Sequence, residues 1–319
     1  MENPSERSLV VVGAGRIGAS LARDLSDRGA ADSITVFVRN PAMPVALLDA
    51  AHIRRAGLDA GSSADQRVSG VDTAVFCVPD DALRGAARAW AERVAEGRLP
   101  PARHALHTSG AHVAAALAPL RADGSSIASW HPLVALAEPG RGRFAGVTFG
   151  IEGEAAAVEE ATRLTAVLGA RALPVRPGAK ALYHLAAVFG SNYLVACLSV
   201  AARLLGRARE AGGPDSAPDT GDLLEALMPL ARSALENVDA RGLPRGVTGP
   251  IVRGDIGTIR RHLEALDPAA RDLYRALGAE LLRMRSDELP HAVRARLWRE
   301  LRPGGDRPFG IGEEVAHDE

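Results

Sequence analysis

The feature that most constrains this chain is the hexapeptide Gly13-Ala14-Gly15-Arg16-Ile17-Gly18. It follows the apolar run Ser8–Val12 and opens a helical stretch over residues 16–28. Its three glycines answer three different needs. The first permits a tight turn out of a strand, the second lets a pyrophosphate approach the backbone, and the third lets the helix pack close to the strand. The amides at the start of that helix then form an anion site. Placed between a strand and a helix near the N-terminus, the motif has the context that dinucleotide binding requires. Gly13, Gly15, Arg16, Ile17 and Gly18 are the predicted cofactor contacts.

The first half continues in the same manner. Apolar runs at residues 34–38, 73–78, 104–107, 127–130, 147–151 and 173–175 alternate with helical stretches at 80–96 and 154–168, and a weaker strand candidate lies at 67–68. Such alternation predicts a mostly parallel α/β sheet. Beyond Pro177 no strand pattern remains. Helices are expected at 180–210, 223–240, 256–266, 269–285 and 289–301. The expected fold class is therefore α/β: a dinucleotide-binding domain over 1–176, an all-helical domain over 177–301, and a Gly- and charge-rich tail over 302–319 that frays. A length of 319 residues fits two domains.

Composition excludes several classes. The 38 basic and 39 acidic residues leave a net charge of −1, which gives no electrostatic case for a nucleic-acid or anionic-membrane partner. No apolar run reaches the roughly 18 residues of a membrane span, and no signal-peptide core follows the polar N-terminus. Cys77 and Cys197 sit in apolar stretches and read as core residues of a reducing cytoplasm. No histidine or cysteine spacing matches a metal site. One count stands apart: 37 of the 38 basic residues are arginine, and Lys180 is the one lysine. Where arginine serves as the general surface cation, a retained lysine points to a compact ammonium that can give up a proton.

Candidate site residues cluster at strand ends, where α/β sheets bind ligands. Val38-Arg39-Asn40 ends the second strand. A guanidinium suits a 2′-phosphate, so Arg39 predicts NADP rather than NAD. Val78 and Pro79 end another strand, with Asp80 as loop former or helix cap. Ser109 within His107-Thr108-Ser109-Gly110-Ala111 either faces the nicotinamide or caps a helix, and His131 either binds substrate or is a bonded core group. At about 100° per residue, His184, Ala187 and Ser191 share the Lys180 face, and Asn192, roughly 120° away, borders it or belongs to another. Asn192 and His184 are candidates for orienting a substrate, or else satisfy each other's environment in a helix pair. In the Gly- and Pro-rich segment 246–255, Arg253 is placed to clamp a carboxylate and Asp255 to bind substrate or cap the next helix.

Taken together, GAGRIG at 13–18, VPDDAL at 78–83, HTSGA at 107–111, SWHPL at 129–133, KALYHLAAVFGSNYL at 180–194 and TGPIVRGDIGTIRRHL at 248–263 resemble a known bacterial family. Its members join a Rossmann-like domain to a C-terminal domain of unknown function, within the 6-phosphogluconate dehydrogenase-like superfamily. The resemblance implies a helical C-terminal domain and a homodimer formed through the long helix. It also implies kinship with ketopantoate reductases, β-hydroxyacid dehydrogenases and pyrroline-carboxylate reductases. The first two use a lysine at the start of the inter-domain helix as catalytic acid, and Lys180 matches that position. Ketopantoate reductase has asparagine one turn later, where this chain has His184. The implied activity is NADP-dependent reduction of a small 2-keto acid such as ketopantoate. Imine reduction and a non-catalytic NADP-binding role are the alternatives.

Overall fold

The computed structural model describes residues 7–38, 46–50, 52–57, 70–209, 220–285 and 289–302. The chain divides into two compact units, Met1–Tyr193 and Leu194–Glu319. This division falls inside the long helix. Arg39, the weak strand candidate at 67–68 and the tail beyond residue 302 lie outside the described residues.

The first unit is an eight-stranded sheet: β1 (Ser8–Val12), β2 (Ser33–Val38), β3 (Ile53–Gly57), β4 (Val71–Phe76), β5 (Ala102–His107), β6 (Ser126–Pro132), β7 (Thr148–Gly153) and β8 (Arg171–Pro174). Their spatial order is β3-β2-β1-β4-β5-β6-β7-β8. All neighbours are parallel except β6 and β7. Strand β3 was not among the expected strands, because IRRAG carries charge in its centre and makes no apolar run. Helices α1 (Arg16–Asp27), α2 (Asp80–Ala95) and α3 (Ala155–Val167), with a 3-10 helix over Ala114–Asp123, cover the sheet.

Alternation explains why β1 reads as unbroken Val and Leu. Leu9 and Val11 join a core with Leu21, Leu25, Trp130, Phe149 and Leu164 on one face. Val10 and Val12 join Phe37, Phe76, Leu83, Trp90 and Leu117 on the other. A strand buried on both faces has no polar side to show. The register aligns Phe37, Val12, Phe76, His107, Ser129 and Glu152 in one row across the strands. That row marks the C-terminal edge of the parallel strands, and it places the turn after β1 and the end of β6 on the same side.

One loop is tied to α1 by a single carboxylate. Asp24, 3% exposed, accepts the amides of Gly142 at 2.6 Å, Arg143 at 2.8 Å and Phe144 at 3.3 Å. Ser20 Oγ accepts the Gly140 amide at 3.0 Å. These bonds hold Phe144 in the core beside Phe149.

A helix runs from Lys180 to Arg209 as α4 (Lys180–Val188), a π-turn over Phe189–Tyr193, and α5 (Leu194–Arg209). At 30 residues it is long and apolar enough to cross a membrane by length and composition, which corrects the sequence expectation that no such segment exists. Scattered Ser and Asn residues break the run without lowering its average below that of a span. Leu182 and Val195 are 70% and 65% exposed on it. The second unit continues with α6 (Thr220–Arg241), α7 (Ile256–Ala265), α8 (Pro268–Met284) and α9 (His291–Leu301). Ile251, Ile256, Ile259, Leu263, Leu282, Leu297 and Leu301 form its core.

Replacing Asp24 by alanine leaves three amides without their acceptor, the buried one of Phe144 and the part-buried ones of Gly142 and Arg143, at about 1–3 kcal/mol for a buried amide and less where water can reach it. Asp24→Ala is expected to lower unfolding stability by about 3 kcal/mol, with Asp24→Asn losing less, as measured by urea denaturation.

Candidate active site

The turn between β1 and α1 has the geometry its glycines imply. Gly13 takes φ of +104°, a region open to glycine, and its amide donates to Phe37 O at 2.9 Å. A Cβ there would stand 2.5 Å from Cys77 O, and one on Gly18 would collide with Gly13 O. Gly15 differs: a Cβ there meets nothing within 4 Å. It is also the residue before α1, whose first-turn amides receive no side-chain cap and face no acidic side chain. Open space over Gly15 and uncapped amides fit a pyrophosphate. Arg16 is exposed and Ile17 is packed against the core. Val78 lines the turn, 3.2 Å from the Cβ position of Gly13. Pro79, not Asp80, is the residue that precedes α2, and no side chain caps that helix.

The second part of the site is built where β6 and β7 run antiparallel. The register sets Ser129 opposite Glu152 and His131 opposite Gly150. Residues two apart on a strand share a face, so Ser129 and His131 stand together. The first turn of α4 meets them. Lys180 Nζ donates to Ser129 Oγ at 2.6 Å and lies 4.9 Å from the centre of the Tyr183 ring. Lys180 is 2% exposed. Burial pushes its ammonium down to about 8, against the raising pull of the Glu152 and Asp80 carboxylates.

Tyr183 Oη donates to His131 O at 3.1 Å and lies 2.8 Å from His131 Nδ1. The ring fits because residue 150 is glycine; a Cβ there would collide with the phenol. Burial pushes that phenol up to about 12, so it keeps its proton. His131 and His184 both crowd Gly110, and a Cβ on Gly110 would stand 2.8 Å from His131 Nε2 and collide with His184 Nδ1. His184 Nδ1 is buried without a partner. His131 is pushed down to about 4, chiefly by burial and then by the Lys180 charge.

His107 is fixed as a neutral ring. Ser109 N donates to its Nδ1 at 3.2 Å, which leaves Nε2 to donate to Val113 O at 3.1 Å. Burial drives it down to about 3. Ser109 Oγ accepts the His112 amide at 3.0 Å, so its hydroxyl works as a turn cap beside the site. Glu152 accepts the Ala114 amide at 2.6 Å and caps the 3-10 helix.

The structure thus brings Lys180, His184 and His131 together, with Ser109 adjacent through His107 and Gly110. Asn192 is exposed in the π-turn, where its Oδ1 accepts from Ser191 Oγ at 2.9 Å. Arg253 and Asp255 belong to the second unit. There Asp255 caps α7, accepting the Thr258 amide at 3.0 Å and the Thr258 hydroxyl at 2.7 Å, and Arg253 is exposed in the preceding turn. Sequence reading passed over Ser129, Glu152 and Tyr183. Tyr183 was within reach, since three residues along a helix returns to within about 60° of Lys180. Ser129 stands in the same short motif as His131. Glu152 carried no signal, because only strand pairing brings it near. Among the described residues no group of three metal-ligating side chains occurs.

Residues 147–281 match a family model described as a domain of unknown function, DUF2520. That span runs from β7 into α8 and includes Gly150, Glu152, Lys180, Tyr183 and His184. No curated protein matches the chain. Among solved structures, protein TM1727 of Thermotoga maritima is 18% identical with a TM-score of 0.65, covering 88% of this chain and 99% of its own. BF3122 of Bacteroides fragilis, provisionally assigned as an NADP oxidoreductase, is 21% identical with a TM-score of 0.61, covering 86% and 98%. Prephenate dehydrogenase of A. aeolicus, solved with hydroxyphenyl propionate and NAD+, is 15% identical with a TM-score of 0.51, covering 90% and 97%. At these identities the likeness establishes the fold.

Gly18→Ala drives a methyl group into the Gly13 carbonyl. It is expected to raise the dissociation constant for NADPH at least tenfold, as measured by fluorescence titration, whereas Gly29→Ala, remote from the turn, leaves it unchanged.

Proposed function

We propose that this chain is an NADP-dependent reductase of a small 2-keto acid, with ketopantoate as the leading substrate. The observation that carries the reading is the Lys180 ammonium, buried and held by Ser129 at the strand edge where α/β sheets bind ligands. Resemblance to ketopantoate reductases supports the substrate. The nicotinamide cofactors named for the B. fragilis and A. aeolicus proteins support the cofactor class. The choice of NADP over NAD rests on Arg39.

A bound NADPH supplies the hydride that reaches the carbonyl carbon. The rest falls to the chain. The uncapped amides of α1 and the open backbone at Gly15 hold the phosphates, with Val78 and Pro79 beside them. Lys180 Nζ gives its proton to the carbonyl oxygen as negative charge develops there, and its own charge stabilises that oxygen beforehand. Ser129 fixes the direction of Nζ, and the neutral amine then regains a proton from solvent. His184 and His131 orient the substrate. The assignment uses residues of the first unit alone.

The same reading includes a homodimer, as the resemblance implies, with the second copy covering the exposed Leu182, Leu185 and Phe189 of the first unit. It includes a cytoplasmic setting, to which the unpaired Cys77 and Cys197 point.

Lys180→Met is expected to cut kcat/KM for ketopantoate by about 10²–10⁴-fold with NADPH affinity unchanged. In the wild type the donor is the protonated amine, so the rate is expected to hold below about 8 and fall above it. Steady-state kinetics across pH check both. Wild-type turnover of an imine by Lys180→Met would move the reading to imine reduction, since a protonated imine needs no acid. Tight NADPH binding without turnover of any keto acid or imine would leave a binding role.

A further inference from the structure

The second unit holds a groove that the reductase reading does not use. On α5, Leu198, Ala202 and Gly206 recur every four residues and share a face. Ala202 and Gly206 are buried, and neither carries a side chain beyond Cβ to fill the space above it. On α6, Leu223 is buried, and Leu224 and Met228 stand one turn apart. Long residues beside short ones leave a groove of about 720 Å³ between α5, α6 and the first turn of α8. One end is charged. There Arg203 and Arg207, also one turn apart, are exposed, and Arg207 Nη1 lies 3.6 Å from Asp267 Oδ2. Asp267 caps α8, accepting the Ala270 amide at 2.9 Å. Two guanidiniums against one carboxylate leave that end positive. Elsewhere the lining offers one polar side chain among the described residues, Ser199.

The dimensions of the groove select its occupant. Its lining runs along α5 from Val195 to Arg207, about 18 Å at 1.5 Å per residue. A volume of about 720 Å³ over that length gives a cross-section of about 40 Å², well under that of a helix about 10–12 Å across. A helix of a second copy is too wide to enter. An extended peptide would bring backbone N–H and C=O groups that an apolar wall leaves unpaired. A polymethylene chain is narrow and has no polar group to lose, and a carboxylate at its end pairs with guanidinium. We propose that the groove binds a straight-chain aliphatic carboxylate of about 12 carbons, a length that about 18 Å admits, with its head at Arg203 and Arg207 and its chain along Leu198, Leu223, Leu224 and Met228. The head stays at the wet rim, so its desolvation costs little, and burial of the chain supplies the affinity. The proposal stands apart from the reductase reading, because every residue in it belongs to the second unit.

Calorimetric titration of the full chain with dodecanoate, kept below its micellar concentration, tests this. A dissociation constant in the micromolar range is expected. Decanoate, two methylenes shorter, is expected to bind about tenfold more weakly. Dodecyltrimethylammonium has the same chain and the opposite charge, and is expected to bind at least about tenfold more weakly than dodecanoate. Arg203→Glu reverses one charge at the head, and Leu224→Glu puts a charge on a groove wall. Each is expected to weaken dodecanoate binding at least about tenfold. Both side chains are exposed, Leu224 by 36%, so the fold is expected to be kept, which circular dichroism checks. Absence of binding overturns the proposal, as does equal affinity for the two head groups or an affinity that either variant leaves unchanged. Sedimentation velocity of the same samples identifies the rival occupant. If the wild type takes up no dodecanoate and Leu224→Glu turns a dimer into a monomer, the groove is covered by a second copy and the proposal is overturned.

Discussion

Taking the Lys180 ammonium out of water costs several kcal/mol unless hydrogen bonds and opposing charge replace its hydration. The first unit supplies both through its strand pairing. Parallel pairing of β5 and β6 brings His107 level with Ser129, and the antiparallel return of β7 brings Glu152 level with Ser129 from the other side. Ser129 receives a hydrogen from the ammonium, the Tyr183 ring lies against it, and Glu152 and Asp80 hold its charge in place. A shift of one residue between β6 and β7 would turn Ser129 and His131 to the opposite face. The site is therefore as well defined as the sheet register.

The electrostatics of the pocket leave two of its histidines neutral beside Lys180. His107 and His131 are driven to about 3 and about 4 by burial, so both are neutral near pH 7. His107 is held in one tautomer by the Ser109 amide and the Val113 carbonyl, and His131 is bonded to Tyr183. Neutral rings at His107 and His131 add no repulsion beside Lys180. Lys180, at about 8, holds its proton near pH 7 yet can release it.

Much of this is visible in the amino-acid order. Strands β1, β2, β4, β5, β6 and β7 announce themselves as apolar runs because burial on one or both faces leaves no freedom of composition, whereas β8 is exposed throughout and is marked by a short apolar segment alone. The Gly13–Gly18 turn is legible because each glycine meets a distinct steric demand, and Lys180 because arginine has taken every other basic position. What stayed hidden depends on contacts far apart in the chain. Glu152 and Gly150 matter through pairing with β6, and Gly110 through rings that arrive from β6 and α4. Strand β3 carries two arginines in a five-residue edge strand. The helical wheel carries no reliable phase as far as Asn192, because the π-turn over Phe189–Tyr193 changes the phase before Asn192 is reached.

Because the chain has one lysine, that residue can be observed without assignment. Protein carrying isotope-labelled lysine gives a single Cε and Nζ signal, whose position follows the charge of Lys180 directly. If burial against Ser129 and Tyr183 defines the proton donor, the signal titrates near 8. A midpoint near the ordinary lysine value of 10.5 would mean that the ammonium is hydrated, and the account of the site built on it would be wrong.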